Sequence, residues 1–402
     1  MSSFVGSAAG GIALGLTEQL AAGYVSSLFS NALTLCLLFA VMLFRPTGLV
    51  TSRHLRRTDI REGLQFFRPI VRLRGRAALI AGFGVVFALS LLPLLVNESL
   101  LGSLIITGIV YIAVLGLDLL MGYGGQVSLG QAAFMALGGY VAGILTATYG
   151  WPPLLATFAA ALFSLGCAII LGLGTLKLRG VYLALATLSF GLFIDSLTAG
   201  LMDITGGPSG LVGIPSFSIS GLAFSSDISM YYLVLGLIVV IFVALLGAMR
   251  SVFGRALMAI RSDQLAAAAL GINVTLYKLF AFSISAILAS LSGSLYAFYF
   301  HFISPDMVST SRSFELVAML VIGGDGTLIG PLLGVALITL LPTIVQDLST
   351  YKTFAVGALL VLSFRFLPQG ILGALAGLSS NLLKKRPQAD RRTVNSRAIL
   401  PP

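Results

Sequence analysis

Two stretches interrupt apolar runs with glycine and polar side chains. The first, MGYGGQVSLGQ at 121–131, sets Gly122, Gly124, Gly125 and Gly130 beside Gln126, Ser128 and Gln131; the second, GGDGTLIGP, occupies 323–331. Glycine admits non-helical backbone and proline starts a helix. Free N–H and C=O groups cannot face lipid, so such breaks are buried in protein or line a watery cavity. Interrupted helices are also where transporters commonly hold solutes, and a helix N-terminus there offers its N–H groups and dipole to a carboxylate. The competing explanations are an ordinary tight turn and close helix packing through small residues.

Ionisable groups inside apolar runs are costly and often functional. Asp118 and Asp195 fall late in their runs, where they either reach interfacial water or line a pathway. Arg312 and Glu315 have the spacing of a same-face ion pair on a helix. His54 and His301, in a basic stretch and at the end of a run, give little reason to expect a proton relay. Between two runs, RSVFGRALMAIRSDQLAAAALGINVTLYK at 250–278 contains an Ala-rich segment that favours helix and ends at Gly271, a C-cap residue. Arg255, Arg261 and Asp263 keep its surroundings polar, so it reads as a short helix outside the bilayer, either solvated or docked on a soluble partner.

Some chemistry has no residues to support it. No G-x-x-x-x-G-K-[ST] loop occurs, and none of the five lysines follows a glycine, so the chain does not bind ATP in the P-loop manner. Neither a metal-ligand cluster nor a nucleophile triad appears. The expectation is a protein without catalytic residues, metal or cofactor, in which ATP, if it drives transport, is bound by partner subunits. Cys36 and Cys167 lie in apolar segments and read as reduced thiols.

The elements that must position these groups follow from composition. Of 402 residues 57% are apolar and 9% charged, whereas a soluble domain carries about 25% charged residues. Mean hydropathy is +1.03. An all-α polytopic membrane helix bundle, with broken or re-entrant helices, is expected. The net charge of +10 sits between apolar runs, where it reports topology and not a nucleic-acid partner. A bilayer core about 30 Å thick needs roughly 20 apolar residues per helix, and runs of that order lie at 78–96, 101–121, 131–149, 153–174, 181–202, 230–249 and 279–300. Shorter ones at 309–323, 330–346 and 351–367, with a hairpin at 10–25 and 29–44, bring the total to about ten to twelve segments.

Of the 24 Lys and Arg, 22 fall in five groups separated by even numbers of runs. All five can share the cytoplasmic side, with both termini cytoplasmic and Glu98, Asp203, Asp227, Asp306 and Asp347 opposite. This places 309–323 and 330–346 in two segments and not one broken helix. No removable signal peptide is evident at the N-terminus. GIAL at 11–14 and FRPTGL at 44–49 are weakly repeated as GVAL at 334–337 and FLPQGI at 366–371. Four regions result: an N-terminal hydrophobic hairpin, 1–50; a basic cytoplasmic linker, 51–76, suited to anionic lipid; a transmembrane domain, 77–383; and a basic cytoplasmic tail, 384–402.

Six blocks in order carry a resemblance: GYGGQVSLGQAAF at 122–134, LKLRGVYLALATLSF at 176–190, ITGGPSGL at 204–211, GRALMAIRSDQLAAAALGIN at 254–273, ISP at 303–305 and GGDGTLIGPLLG at 323–334. From about 77 to 383 the chain resembles the LivM-type permease subunit of high-affinity branched-chain amino acid ABC importers, a family that includes urea and short-amide permeases. The resemblance implies a bacterial inner-membrane permease working with a LivH-type sister permease, ABC ATPase subunits and a substrate-binding protein. Within such a permease the broken segments are expected to line the solute pathway, through Gly122, Gly124, Gly125, Gln126, Ser128, Gln131, Thr205, Gly206 and Gly207. ATPase coupling would run through Gly254, Arg255, Arg261, Asp263, Ala267 and Gly271, the last matching the glycine that closes the family's loop. Residues 1–50 resemble the end of the sister LivH-type permease. Such permeases commonly carry Asn where Asp118 stands, and Glu and Arg where this chain has Leu192 and Asp195. Those departures leave open a urea or short-amide permease, and an ion-coupled secondary transporter needing no ATPase.

Overall fold

The computed structural model describes residues 4–24, 84, 86–175, 180–219, 222–344, 357–358, 361–362, 365 and 370–374. Cys36, His54, Lys177, Arg179, Asp347, Lys352, the 29–44 half of the hairpin, the linker 51–76 and the tail 384–402 lie outside the described residues.

The chain is a membrane helix bundle. After α1 (Phe4–Tyr24) come α2 (Glu98–Leu117), α3 (Gln131–Ala147), α4 (Pro153–Thr175), α5 (Val181–Gly200), α6 (Asp227–Arg250), α7 (Val252–Ser262), α8 (Gln264–Ala269), α9 (Val274–Phe300), α10 (Thr310–Gly323) and α11 (Gly330–Ile344). Sheet is confined, among the described residues, to two antiparallel pairs of two-residue strands: Leu211–Val212 with Phe302–Ile303, and Ser218–Ile219 with Leu222–Ala223.

Among the described residues five helices are long and apolar enough to cross a bilayer, the longest running Val274–Phe300 for 27 residues, about 40 Å at 1.5 Å per residue. By contrast α3, with 17 residues, starts just after Gly130, α11, with 15, starts at Gly330, and both are shorter. They cover about 25 and 22 Å, so their N-termini lie inside the bundle. Side-chain oxygens cap several other N-termini: Ser226 for α6, Ser251 for α7, Asp263 for α8, Asn273 for α9 and Ser309 for α10.

Lipid supplies no hydrophobic drive between helices, so close backbone approach and buried hydroxyls hold the bundle. The tightest seam joins α3 to α9, where Gly138 faces the Ser290 backbone and Gly293 faces the Met135 carbonyl, leaving no room for a Cβ. Ser294 on α9 donates across it to Gly138 O at 3.0 Å, and Ser292 ties α9 to α2 by donating to Ile109 O at 2.6 Å. Phe134 packs against Phe190 and Phe282. The outward faces of α4 and α6 expose Phe158, Leu162, Ile170, Val240 and Val243, as lipid contact requires.

α10 and α11 form an antiparallel pair. Gly334 lies on the Met319 carbonyl and Gly323 on Gly330, so the chain reverses between them, as the charge distribution requires. α11 also runs antiparallel to α2, through Thr107 to Thr339 at 2.6 Å and Ser103 to Thr343 at 2.9 Å.

Candidate functional site

The two glycine-rich breaks, some 200 residues apart in sequence, meet. After α2 the backbone widens into a π turn, Asp118–Tyr123, a local irregularity often found at functional positions. Asp118 is completely buried there, and does not reach interfacial water. One carboxylate oxygen accepts the Gly326 N–H and the other the Leu328 N–H, the latter at 3.1 Å. Tyr111 donates its hydroxyl to Leu328 O at 2.6 Å. Within the second break Thr327 donates to Gly324 O and accepts from Gly330 N–H, both at 2.9 Å. Gly326 has φ +71 and Leu328 φ +54, a left-handed backbone that costs a non-glycine residue and persists where its surroundings enforce it. At Gly122 the approach of the two breaks dictates the residue: a Cβ would strike both Asp118 Oδ1 and the Gly326 nitrogen.

The end of α7 reaches both breaks. Arg261 pairs with Asp325 at 3.0 Å, and its side chain lies against Gly125. The rest of that connection is built as the sequence indicates. Gly254 sits on the Met249 backbone with no space for a Cβ, making the elbow between α6 and α7. Arg255 donates to Arg250 O at 3.2 Å. Asp263 caps α8, accepting from Leu265 N–H at 2.8 Å and Ala266 N–H at 3.1 Å. Ala267 is buried, and Gly271, with φ +84, ends α8 in the left-handed conformation expected of a C-cap. The Ala-rich helix expected to end at Gly271 is α8, and the Asp263 cap divides it from α7. Leu265 and Leu270 are 68% and 81% exposed, unsatisfied apolar groups on a polar element.

The remaining sequence-derived pathway residues fall at two levels. Gln126 is buried with neither amide atom bonded, and Ser128 accepts the Gly130 N–H at 3.4 Å. Thr187 on α5 accepts the Leu129 N–H at 3.0 Å. Gln131 bridges three helices, donating to Ala113 O at 2.9 Å and accepting from the Ser285 hydroxyl at 3.1 Å. Thr205, Gly206 and Gly207 lie near the far end of α5, where Thr205 donates to Thr198 O at 2.6 Å. From Thr187 to Thr198 is about 16 Å along the helix, so these three do not join the first group. Arg312 and Glu315 form the expected ion pair at 2.9 Å. His301 Nδ1 lies 2.9 Å from Ile214 O, and Cys167 is a free thiol.

Asp325, Thr327 and Tyr111 were not signalled by the sequence as working groups. Asp325 lay inside a motif read for its glycines, and Tyr111 inside an uninterrupted apolar run. Among the described residues no group of three or more His, Cys, Asp or Glu is placed to hold a metal.

A family model described as "Branched-chain amino acid transport system / permease component" matches residues 99–364. Over 303 residues the chain is 32% identical to the high-affinity branched-chain amino acid transport system permease protein LivM of Salmonella typhimurium, covering 70% of this chain and 71% of that protein. The LivM protein of Escherichia coli is also 32% identical over 303 residues, with the same shares covered. The autoinducer 2 import system permease protein LsrC of Yersinia enterocolitica is 30% identical over 212 residues, covering 50% of this chain and 57% of that protein. No solved structure matches.

Proposed function

This chain belongs to the permease components of branched-chain amino acid transport systems, and we propose that it lines the pathway of an ABC importer for branched-chain amino acids or a chemically related solute. Residues 77–383 are the permease domain, beside a LivH-type sister permease. A binding protein delivers solute at the end bearing Thr205, Gly206 and Gly207. ATPase subunits dock at the other end, which the charge rule makes cytoplasmic together with both termini, the linker 51–76 and the tail 384–402. The hairpin 1–50 supplements the bundle in the manner of a sister permease's end. The site lies in a bacterial inner membrane, and ATP stays with the partners.

The observation that carries this reading is the contact of one basic element with both breaks. The α7–α8 connection offers Leu265 and Leu270 outward for docking, while inward Arg261 holds Asp325 and touches Gly125. Asp118 in turn ties the second break to the first. A displacement of α7 by an ATPase is therefore passed to Gly122, Gly124, Gly125, Gln126 and Ser128, which gate the pathway, while the Leu129 N–H bond to Thr187 and the Gln131 bond to Ser285 anchor it to α5 and α9.

Two tests follow. The Arg261 and Asp325 side chains are 31% and 46% exposed, and such a pair contributes at most about 1 kcal/mol to stability. R261D should therefore leave the complex folded yet lower ATP-driven uptake about tenfold, and the swap R261D/D325R should recover much of it. Equal uptake in all three proteins would refute the relay. Substituting Arg255, or Gly271 with valine, should lower both uptake and solute-stimulated ATPase without lowering membrane insertion; unchanged coupled activity would remove α7–α8 from the coupling.

A further inference from the structure

At the end of the bundle away from α7 and α8, an open depression of about 210 Å³ is lined by Tyr296 and Phe300 in the last turns of α9, Phe302 and Asp306 just after it, and Arg312 on α10. α9 runs for 27 residues, about 40 Å against a hydrocarbon core of about 30 Å, so its final turn stands at headgroup depth. The rings there form a cluster: the centroids of Tyr296 and Phe300 are 4.4 Å apart and those of Tyr299 and Phe300 5.2 Å. Aromatic side chains of this kind collect at the membrane interface. Phe300, Phe302 and Phe314, the last two positions beyond Arg312, are exposed. The same depression holds charge of both signs. Asp306 is exposed, and among the described residues its carboxylate enters no ion pair or hydrogen bond. Arg312 gives one N–H to Glu315 at 2.9 Å, and its guanidinium carries five donors.

A ligand that engages both charges carries a cation and an anion on one small head. An ammonium suits Asp306 through its N–H donors and the ring faces through cation–π attraction, and a phosphate suits the remaining donors of Arg312. Such a head is not captured from water by these groups alone, because exposed ionic contacts contribute little. Attached to acyl chains, it is already concentrated at this depth, and the chains cover the exposed phenylalanines. We infer that this depression binds the headgroup of a zwitterionic phospholipid of the ethanolamine type, with the ammonium on Asp306, the phosphate on Arg312 and the acyl chains along Phe300 and Phe314. The inference rests on the bundle spanning a bilayer, and not on which solute it carries.

The full chain, stripped of lipid in detergent, is titrated with dioleoyl phosphatidylethanolamine, with phosphatidylglycerol and phosphatidylcholine bearing the same chains, and with free phosphoethanolamine and leucine, and thermal unfolding reports binding. Phosphatidylethanolamine should raise the melting temperature saturably. Its apparent Kd should be about tenfold or more below those of phosphatidylglycerol, which lacks the ammonium, and phosphatidylcholine, whose ammonium has no N–H. Neither free compound should act. D306N and R312Q should each weaken phosphatidylethanolamine about tenfold and abolish the preference. Equal affinities for the three lipids, a response to free phosphoethanolamine or leucine, or an unchanged preference in D306N overturns the site. So does lipid binding that vanishes when the sister permease is assembled, since the face then belongs to that partner. If R312Q leaves Glu315 uncompensated and does not fold, D306N decides alone, because Asp306 is exposed. ATP-driven uptake in liposomes reports separately on the permease reading: uptake without a lipid preference rejects this site only.

Discussion

Replacing Asp118 with alanine is expected to abolish ATP-driven uptake while the chain still inserts. The carboxylate accepts two backbone N–H groups in a site with no solvent. Alanine leaves both donors buried and unpaired, at about 1–3 kcal/mol each. The Tyr111 bond to Leu328 O, which ties the second break to α2, then remains. An ordering cost of about 3 kcal/mol reduces the joined state by roughly 100-fold, and the stroke of α7 then moves one break without the other. Asparagine, common at this position in the permeases the chain resembles, keeps one acceptor but turns an NH₂ toward the second donor, so D118N should retain intermediate uptake. Initial uptake rates in proteoliposomes, normalised to complex incorporated, make the comparison. Full uptake by D118A would show that the junction is packing only.

The second large effect concerns the seam beneath the site. A Cβ at Gly293 would overlap the Met135 carbonyl and crowd the Gly139 nitrogen, and neither can yield because both belong to the α3 backbone. G293V must push α9 from α3, breaking the Ser294 bond to Gly138 O and the Ser285 bond to Gln131. A cost of about 3 kcal/mol, at the upper end for overpacking, should leave little monodisperse protein on size exclusion. The control is G236V: a Cβ at Gly236 meets nothing within 4 Å, so its yield should match wild type. Equal yields from the two variants would contradict the seam.

Much of the bundle was legible because lipid demands long apolar runs. Runs at 153–174 and 279–300 appear as α4 and α9, and the glycine that ends the Ala-rich helix at 271 has the left-handed backbone expected of it. The Arg312–Glu315 pair was readable because its spacing is local. What escaped is long-range and backbone-mediated. Asp118 binds amide N–H groups more than 200 positions away, and such a bond leaves no side-chain signature on the partner. Asp325 could not be matched to Arg261 for the same reason of distance. The sequence also grouped Gly122 to Gln131 with Thr205 to Gly207 by chemistry alone, whereas α5 holds the two sets at different depths. Gln131, read as a pathway residue, is bonded to α2 and α9, a consequence of packing that composition does not encode.

Where the driving energy enters is measured most directly by uptake of labelled leucine, isoleucine or valine into proteoliposomes. With the sister permease, ATPases and binding protein present, ATP on the side of α7 and α8 should drive accumulation, and an imposed proton or sodium gradient without ATP should not. Gradient-driven accumulation by this chain alone would contradict a permease moved through Arg261 by a separate motor.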